Sequence, residues 1–93
     1  MNRDLEKTAK IFKAFSVAIR LEILDLLKNG EECACNLLEE LDLTQSGLSY
    51  HMKILIESGI VTAREDGKWV YYTISEQGRQ EIIEMFLEAT TRN

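Results

Sequence analysis

Apolar residues recur every three to four positions through the first half of the chain, the spacing of helices that bury one face. This spacing predicts a first helix over about residues 4–15. A second helix follows, and we expect the hydroxyl of Ser16 to cap its first turn and Asn29-Gly30 to end its last. The apolar stripe of the second helix consists of Leu21, Leu24 and Leu27.

Two further amphipathic segments come next, separated by a tight turn. A short third helix is predicted over roughly Asn36–Leu41, and a fourth runs from a capping Thr44 to Glu57. Ser58-Gly59 stops the fourth helix, because glycine readily adopts the left-handed backbone conformation that ends helices. On this helix the apolar stripe consists of Leu48, Met52 and Leu55.

The periodicity changes from helical to alternating after residue 59. Ile60 to Glu65 and Lys68 to Ile74 are rich in β-branched and aromatic residues, and Asp66-Gly67 between them is a strong hairpin signal. In the second strand two sets of side chains alternate, so that one set packs inward. The two sets are Val70, Tyr72 and Ile74, and Trp69, Tyr71 and Thr73.

A last helix is predicted from a capping Ser75 to about residue 90. The fold class is therefore α+β, mainly α with one β-hairpin, in the order α-α-α-α-β-β-α. Two short helices followed by a hairpin describe a winged helix-turn-helix, which occupies residues 1–93 as a single domain. A chain of 93 residues has a small core, and a dimer interface is a natural way to enlarge it.

Charge and hydropathy limit the possible partners. The formal net charge of −5 argues against tight nonspecific binding to nucleic acid, because contacts of Lys and Arg with phosphates dominate such affinity. Residues 44–79, however, hold four basic and four acidic residues and are neutral within an acidic chain. No apolar run is long enough to span a membrane, and the first residues are charged. We therefore expect a cytoplasmic protein without a membrane segment.

The polar face of the fourth helix carries residue types that suit DNA. Small hydroxyls near a helix N-terminus, followed by Tyr and Lys, are suited to phosphates and base edges in a major groove. The alternative is an ordinary solvated face, which the preceding turn and the following hairpin make the less favoured interpretation. His51, at the edge of this face, is expected to be a hydrogen-bonded helix residue rather than a metal ligand. The candidate DNA contacts are Gln45, Ser46, Ser49, Tyr50, His51 and Lys53 on the helix and Arg64 and Lys68 on the hairpin.

Five short motifs follow one another between about residues 8 and 76. They are FKAFS at 12–16, RLEIL at 20–24, QSGLSYHM at 45–52, ESGIV at 57–61 and GKWVYY at 67–72. In this order they resemble the arsenical-resistance repressor family of the ArsR/SmtB type. The resemblance implies a dimeric winged-helix repressor that leaves its double-stranded operator DNA when a metal ion or metalloid binds.

The same resemblance implies that the first and last helices, at about 4–15 and 75–90, form the interface of a homodimer. The last helix has more apolar positions than one small domain needs to bury, which agrees with this role. The candidate interface residues are Leu5, Phe12, Ile82, Ile83, Phe86 and Leu87.

Cys33 and Cys35 are the only cysteines of the chain and stand just ahead of the third helix. A disulfide between them would close a very small ring, so we expect none. The segment Glu32–Leu38 is similar to the cysteine motif of the arsenite- and antimonite-sensing branch, and thiolates select soft ions such as As(III) and Sb(III). Residues i and i+2 of an ideal helix point about 200° apart, so binding is expected to distort the start of the third helix.

The family pattern breaks at Leu38, where the strongest arsenite sensors carry a third cysteine. A two-thiolate site must then be completed by solvent, a small thiol or another protomer. Three alternatives stay open: the cysteines are small buried apolar residues, oxidation rather than a metalloid gates the repressor, or the module binds protein without an inducer. No constitutive cofactor is expected, and no nucleophile–base pair points to an enzyme.

Overall fold

Five helices and a three-stranded antiparallel sheet form the computed structural model, which describes residues 4–92. The elements are α1 (Leu5–Lys13), α2 (Ala18–Leu27), β1 (Glu32–Cys33), α3 (Ala34–Glu40), α4 (Gln45–Ser58), β2 (Val61–Asp66), β3 (Trp69–Ile74) and α5 (Glu76–Thr90). The predicted α+β class is confirmed, and so is the sequence of four helices, a hairpin and a last helix. The one element that the sequence did not predict is β1.

The strand β1 lies against β3 in a sheet of order β1-β3-β2. It is only two residues long, and it pairs antiparallel with the wing through Glu32 opposite Tyr72 and Cys33 opposite Tyr71. Two residues are too few to show an alternating pattern, and for this reason the sequence gives no sign of the strand. Because of β1, the segment that carries the cysteines is part of the same sheet as the hairpin.

The hairpin is confirmed, with its turn one residue later than predicted. Asp66 pairs with Trp69, so the two turn residues are Gly67 and Lys68. Gly67 has a φ of +63°, and no described residue other than glycine has a positive φ. A positive φ at the first central position alone is the pattern of a type II′ turn, which favours glycine there.

The hydrophobic core lies between the helices and the inner face of the sheet. The predicted stripe of α4 is confirmed, since Leu48, Met52 and Leu55 are at most 2% exposed. From β3, the side chain of Tyr72 is buried, and those of Val70 and Ile74 pack against the core. One of the two alternating sets therefore points inward, as predicted.

The buried face of α2 is rotated from the predicted stripe. Leu21 is 51% exposed and Leu24 is partly buried, whereas Arg20, Ile23 and Leu27 are buried. Residues three positions apart differ by about 60° around the helix axis. The predicted stripe takes two such steps in the same direction, so its first and last residues do not share one face. Steps of three and then four residues, from position 20 to 23 to 27, stay on one face.

Two of the three predicted helix caps are confirmed. The hydroxyl oxygen of Thr44 accepts a hydrogen bond from the N–H of Gly47 at 3.0 Å, and that of Ser75 accepts one from the N–H of Gly78 at 2.9 Å. The prediction for Ser16 is wrong, because its hydroxyl donates to a main-chain carbonyl of the preceding turn instead. The start of α2 has no side-chain cap.

Candidate DNA interface and thiol site

The polar face of α4 is open to solvent along its length. Tyr50 is 62% exposed, and the other predicted contacts on the helix except His51 are exposed as well. The hydroxyls of Thr44 and Ser46 lie 3.3 Å apart at the start of the helix. The exposed candidates are Gln45, Ser46, Ser49, Tyr50 and Lys53. Their contact with DNA stays a prediction.

His51 is turned toward the protein and ties α4 to the end of α1. Its Nδ1 accepts a hydrogen bond at 3.1 Å from Nη1 of Arg20, because a guanidinium only donates. Arg20 is 6% exposed, and its Nε donates to the carbonyl oxygen of Ala14 at 2.7 Å. The expectation of a hydrogen-bonded histidine is confirmed, whereas sequence periodicity gave no sign of its buried arginine partner.

Burial, and after it the positive charge of Arg20, lowers the pKa of His51 below its usual value. An imidazolium at this position would also lose the acceptor that Arg20 uses. The unfolded chain therefore takes up the proton at higher pH than the folded one. The contribution of His51 to stability is complete above the pKa of an unfolded histidine, about 6.5, and is lost as the pH falls below it.

We expect His51→Asn to reduce the loss of stability on acidification, because the amide oxygen still accepts from Arg20 but does not titrate. Urea unfolding of the wild type and the variant at pH 7.5 and 5.5 measures this, at one protein concentration. The free energy of unfolding of the wild type should decrease more than that of the variant. Equal decreases would show that His51 does not set this pH dependence.

The wing arginine is engaged within the protein. Nε and Nη2 of Arg64 each lie 2.8 Å from a different carboxylate oxygen of Glu31, and the guanidinium lies over the ring of Tyr71, 4.3 Å from its centroid. The hydrogen bond with Arg64 is the main cause that lowers the pKa of Glu31. Lys68, in the turn, is exposed and has its Nζ 5.2 Å from the ring centroid of Trp69. The sequence did not point to Glu31, because its partner is 33 residues away.

Cys33 and Cys35 lie where β1 passes into α3. The backbone of Cys33 is extended, with φ −78° and ψ 155°, and its Sγ accepts a hydrogen bond from the N–H of Asn36 at 3.3 Å. Because Cys33 caps the helix, α3 begins at Ala34, two residues before the predicted start. Cys33 is 8% exposed, whereas Cys35 in the first helical turn is exposed.

The expectation that these cysteines stay unbonded is wrong, since the structure joins them in a disulfide. Their Cα atoms are 5.3 Å apart, a separation that disulfides ordinarily span. The prediction rested on the very small ring that the bond closes, but the extended backbone of Cys33 turns its side chain toward that of Cys35, and the ring forms. The sulfur atoms are adjacent while α3 is intact from Ala34, so unwinding of the helix is not needed to bring them together.

Other donors near the cysteines are engaged with one another. The side-chain amide of Asn36 donates to a carboxylate oxygen of Glu32 at 3.1 Å. Within residues 4–92, no group of three or more His, Cys, Asp or Glu side chains is placed to hold a metal ion.

An apolar surface runs along α1 and α5, the helices predicted to form a dimer interface. Four of the six candidate residues are exposed, by 59% for Leu5, 43% for Ile83 and 55% each for Phe86 and Leu87. Phe12 is partly buried and packs edge to face on Phe86, with ring centroids 5.7 Å apart. The sixth candidate, Ile82, packs against the core.

Among residues 4–92, no helix is long and apolar enough to cross a membrane.

Sequence comparisons give close relatives over most of the chain. Residues 18–63 match the model of the bacterial regulatory protein arsR family. An uncharacterized HTH-type transcriptional regulator of Methanocaldococcus jannaschii is 46% identical over 81 residues, which cover 86% of this chain and 91% of that protein. The arsenical resistance operon repressor of Staphylococcus aureus is 41% identical over 88 residues, which cover 95% of this chain and 85% of the repressor.

Comparison with solved structures gives the same kind of protein as comparison of sequences. The crystal structure of a possible transcriptional regulator for arsenical resistance superimposes with a TM-score of 0.77 at 28% identity, over 89% of this chain and 86% of that one. A homodimeric winged helix-turn-helix DNA-binding domain from Mycobacterium bovis, a possible ArsR-family regulator, gives 0.72 at 28% identity, over 96% and 89%. The members of this family are DNA-binding regulators and not enzymes. The fold of this chain and its relatives together show that it belongs to the ArsR family of winged helix-turn-helix transcriptional regulators.

Proposed function

We propose that this chain is a homodimeric repressor that leaves its operator when As(III) or Sb(III) binds the reduced thiolates of Cys33 and Cys35. The observation that carries the proposal is the adjacency of the two sulfur atoms at the start of α3, the helix that precedes α4. Relatives named arsenical resistance operon repressors support the choice of metalloid. The homodimeric domain from Mycobacterium bovis supports the choice of a dimer.

The donor set fits a thiophilic ion, and only the reduced form offers it. Arsenous acid reacts with two thiols: two As–S bonds form, two As–O bonds break, and each thiol proton leaves with a hydroxide as water. Cys35 is exposed and gives the ion access. The N–H of Asn36 donates a hydrogen bond to Cys33 Sγ and holds this sulfur at the start of α3. The third position on the metalloid keeps its hydroxide or takes an outside thiol.

DNA contact is assigned to the exposed face of α4 and to the wing. Gln45, Ser46 and Ser49 begin the helix, where side chains of this kind reach base edges and phosphates in a major groove. Tyr50, His51 and Lys53 continue along the face, with His51 at its partly buried edge. Arg64 and Lys68 would touch the flanking phosphates.

A second candidate function is a repressor gated by oxidation. The disulfide between Cys33 and Cys35 favours it, because the two sulfurs are already bonded in this conformation. Two thiols would reduce one peroxide molecule to two water molecules, with one S–S bond formed. This candidate predicts release from DNA by peroxide and indifference to arsenite.

Arsenite should release the reduced protein from a duplex of its own promoter, and the substitution Cys33→Ser should abolish the release. Effectors usually change affinity by about 5–150-fold, so a shift of this size is expected for the wild type. Fluorescence anisotropy of the labelled duplex, with protein kept reduced by a phosphine, measures the affinity. Cys35→Ser is the second variant and should behave as Cys33→Ser does.

Other outcomes of this titration separate the candidates. Tight binding that arsenite leaves unchanged but peroxide reverses would replace the metalloid with oxidation as the signal. Release by arsenite in the Cys33→Ser protein would contradict the assigned site. Absence of salt-dependent binding to the duplex would contradict the assignment of α4 and the wing to DNA.

A further inference from the structure

Glu31 is the partner of the wing arginine, yet it lies outside the wing, in the loop between α2 and β1. Its two carboxylate oxygens each accept a hydrogen bond at 2.8 Å from Arg64, and its Oε2 also lies 3.4 Å from the hydroxyl of Thr73. Two parallel N–H···O bonds between a guanidinium and a carboxylate are among the stronger charged contacts in proteins. The guanidinium also lies over the ring of Tyr71, a second favourable contact for its charge.

The same pair is joined to the cysteines by two short routes. Along the backbone, Glu31 precedes Cys33 by two residues. Across the sheet, Cys33 is the register partner of Tyr71, the residue whose ring lies under Arg64. Cys33 is therefore connected to both groups that contact the arginine, Glu31 and Tyr71. The sulfurs of Cys33 and Cys35 are bridged in the conformation that has the pair formed.

An arginine that is neutralised by a carboxylate contributes less to binding of phosphates than one whose charge is uncompensated. We propose that Glu31 is a positioning residue that withdraws Arg64 from DNA when Cys33 and Cys35 are bridged, so that the wing carries the thiol state to the operator. The inference rests on the proposed DNA contact of the wing. The inference adds Glu31 as a competitor of the DNA phosphates for Arg64. It also adds a route by which the state of the thiols reaches Arg64.

Salt dependence of DNA binding distinguishes this role from a general effect on folding. The slope of log K against log salt is negative, and each arginine that is withdrawn from a phosphate makes it shallower by about 0.9. The two wings of a dimer together make it shallower by about 2. We expect this difference between the reduced wild type and the protein oxidised with diamide, in which mass spectrometry verifies the loss of two hydrogens. In Glu31→Gln the oxidised protein should keep the slope of the reduced one.

A matched control is available at the next residue. Glu32→Gln removes the same charge, but Glu32 accepts from Asn36 and has no hydrogen bond to Arg64 among the described residues. It should leave the slope difference of the wild type in place. In an Arg64→Gln background the reduced and oxidised proteins should have the same slope. Adding Glu31→Gln to this background should leave the slope unchanged.

Each remaining outcome contradicts the proposal. Equal slopes for the reduced and oxidised wild type would overturn it, as would equal effects of Glu31→Gln and Glu32→Gln. An effect of Glu31→Gln that persists in the Arg64→Gln background would show that Glu31 acts on DNA directly. Wild-type protein that does not bind the duplex in any redox state would overturn the proposed function as well, which separates the two failures.

Discussion

Replacing Gly78 with alanine is expected to lower the free energy of unfolding by about 3 kcal/mol, the upper end of the usual cost of overpacking. A Cβ at this position would overlap the carbonyl oxygen of Gly59 and lie 2.8 Å from its carbonyl carbon. Both atoms belong to the backbone that ends α4, so a side-chain rotation cannot relieve the overlap. Thermal unfolding should show a decrease in Tm of roughly 12–24 °C for a domain of this size.

Gly47→Ala is a closely matched control. Gly47 and Gly78 are each the third residue of a helix, and each N–H is bonded to a capping hydroxyl. Alanine has the same higher helix propensity at both positions. A Cβ on Gly47 would lie 3.1 Å from Oγ1 of Thr44, a side-chain atom that can shift. If the two variants were equally stable, the close approach of α5 to the end of α4 would be wrong.

The packing of Gly78 on Gly59 connects two helices that carry candidate functional surfaces. It places the start of α5, a helix of the apolar surface, directly against the end of α4, the helix with the candidate DNA contacts. Arg20 and His51 make a second connection, between the end of α1 and the middle of α4. Both helices of the apolar surface are thus fixed to α4 by short contacts, so the proposed dimer interface and the candidate DNA contacts are mechanically connected.

Features with local causes could be predicted from the sequence. Thr44 and Ser75 cap helices because a hydroxyl stands three residues before a glycine N–H, and Gly59 ends α4 with a φ of +92°. The presence of a hairpin turn at Gly67 was also predictable, although the turn consists of Gly67 and Lys68 rather than Asp66 and Gly67. The exposed face of α4 follows from its periodicity in the same way.

Features that depend on residues far apart in the chain could not be predicted. The strand β1 exists only because β3 offers its free edge to two residues that have no pattern of their own. The bond between Cys33 and Cys35 depends on this strand, since the extended backbone of Cys33 brings the sulfurs together. The pairing of Glu31 with Arg64 requires the same folded arrangement.

The proposed homodimer would bury the apolar surface of α1 and α5. Phe86 and Leu87 each leave about half of their surface exposed at 55%, although Phe86 is already oriented by its contact with Phe12. Burying the remaining half of such a side chain contributes about 1 kcal/mol. A symmetric dimer contains each residue twice, so the pair accounts for about 4 kcal/mol, or roughly a thousandfold in the dissociation constant of the dimer.

The double variant Phe86→Gln/Leu87→Gln is therefore expected to be monomeric at concentrations where the wild type is a dimer, and to lose most of its operator affinity. Glutamine adds no charge, so weaker DNA binding would follow from the loss of the partner's α4 at the second half-site rather than from repulsion. Sedimentation equilibrium measures the association, and Leu21→Gln, which removes a 51% exposed leucine from α2, is the control. A double variant that dimerises as tightly as the control would place the interface on another surface.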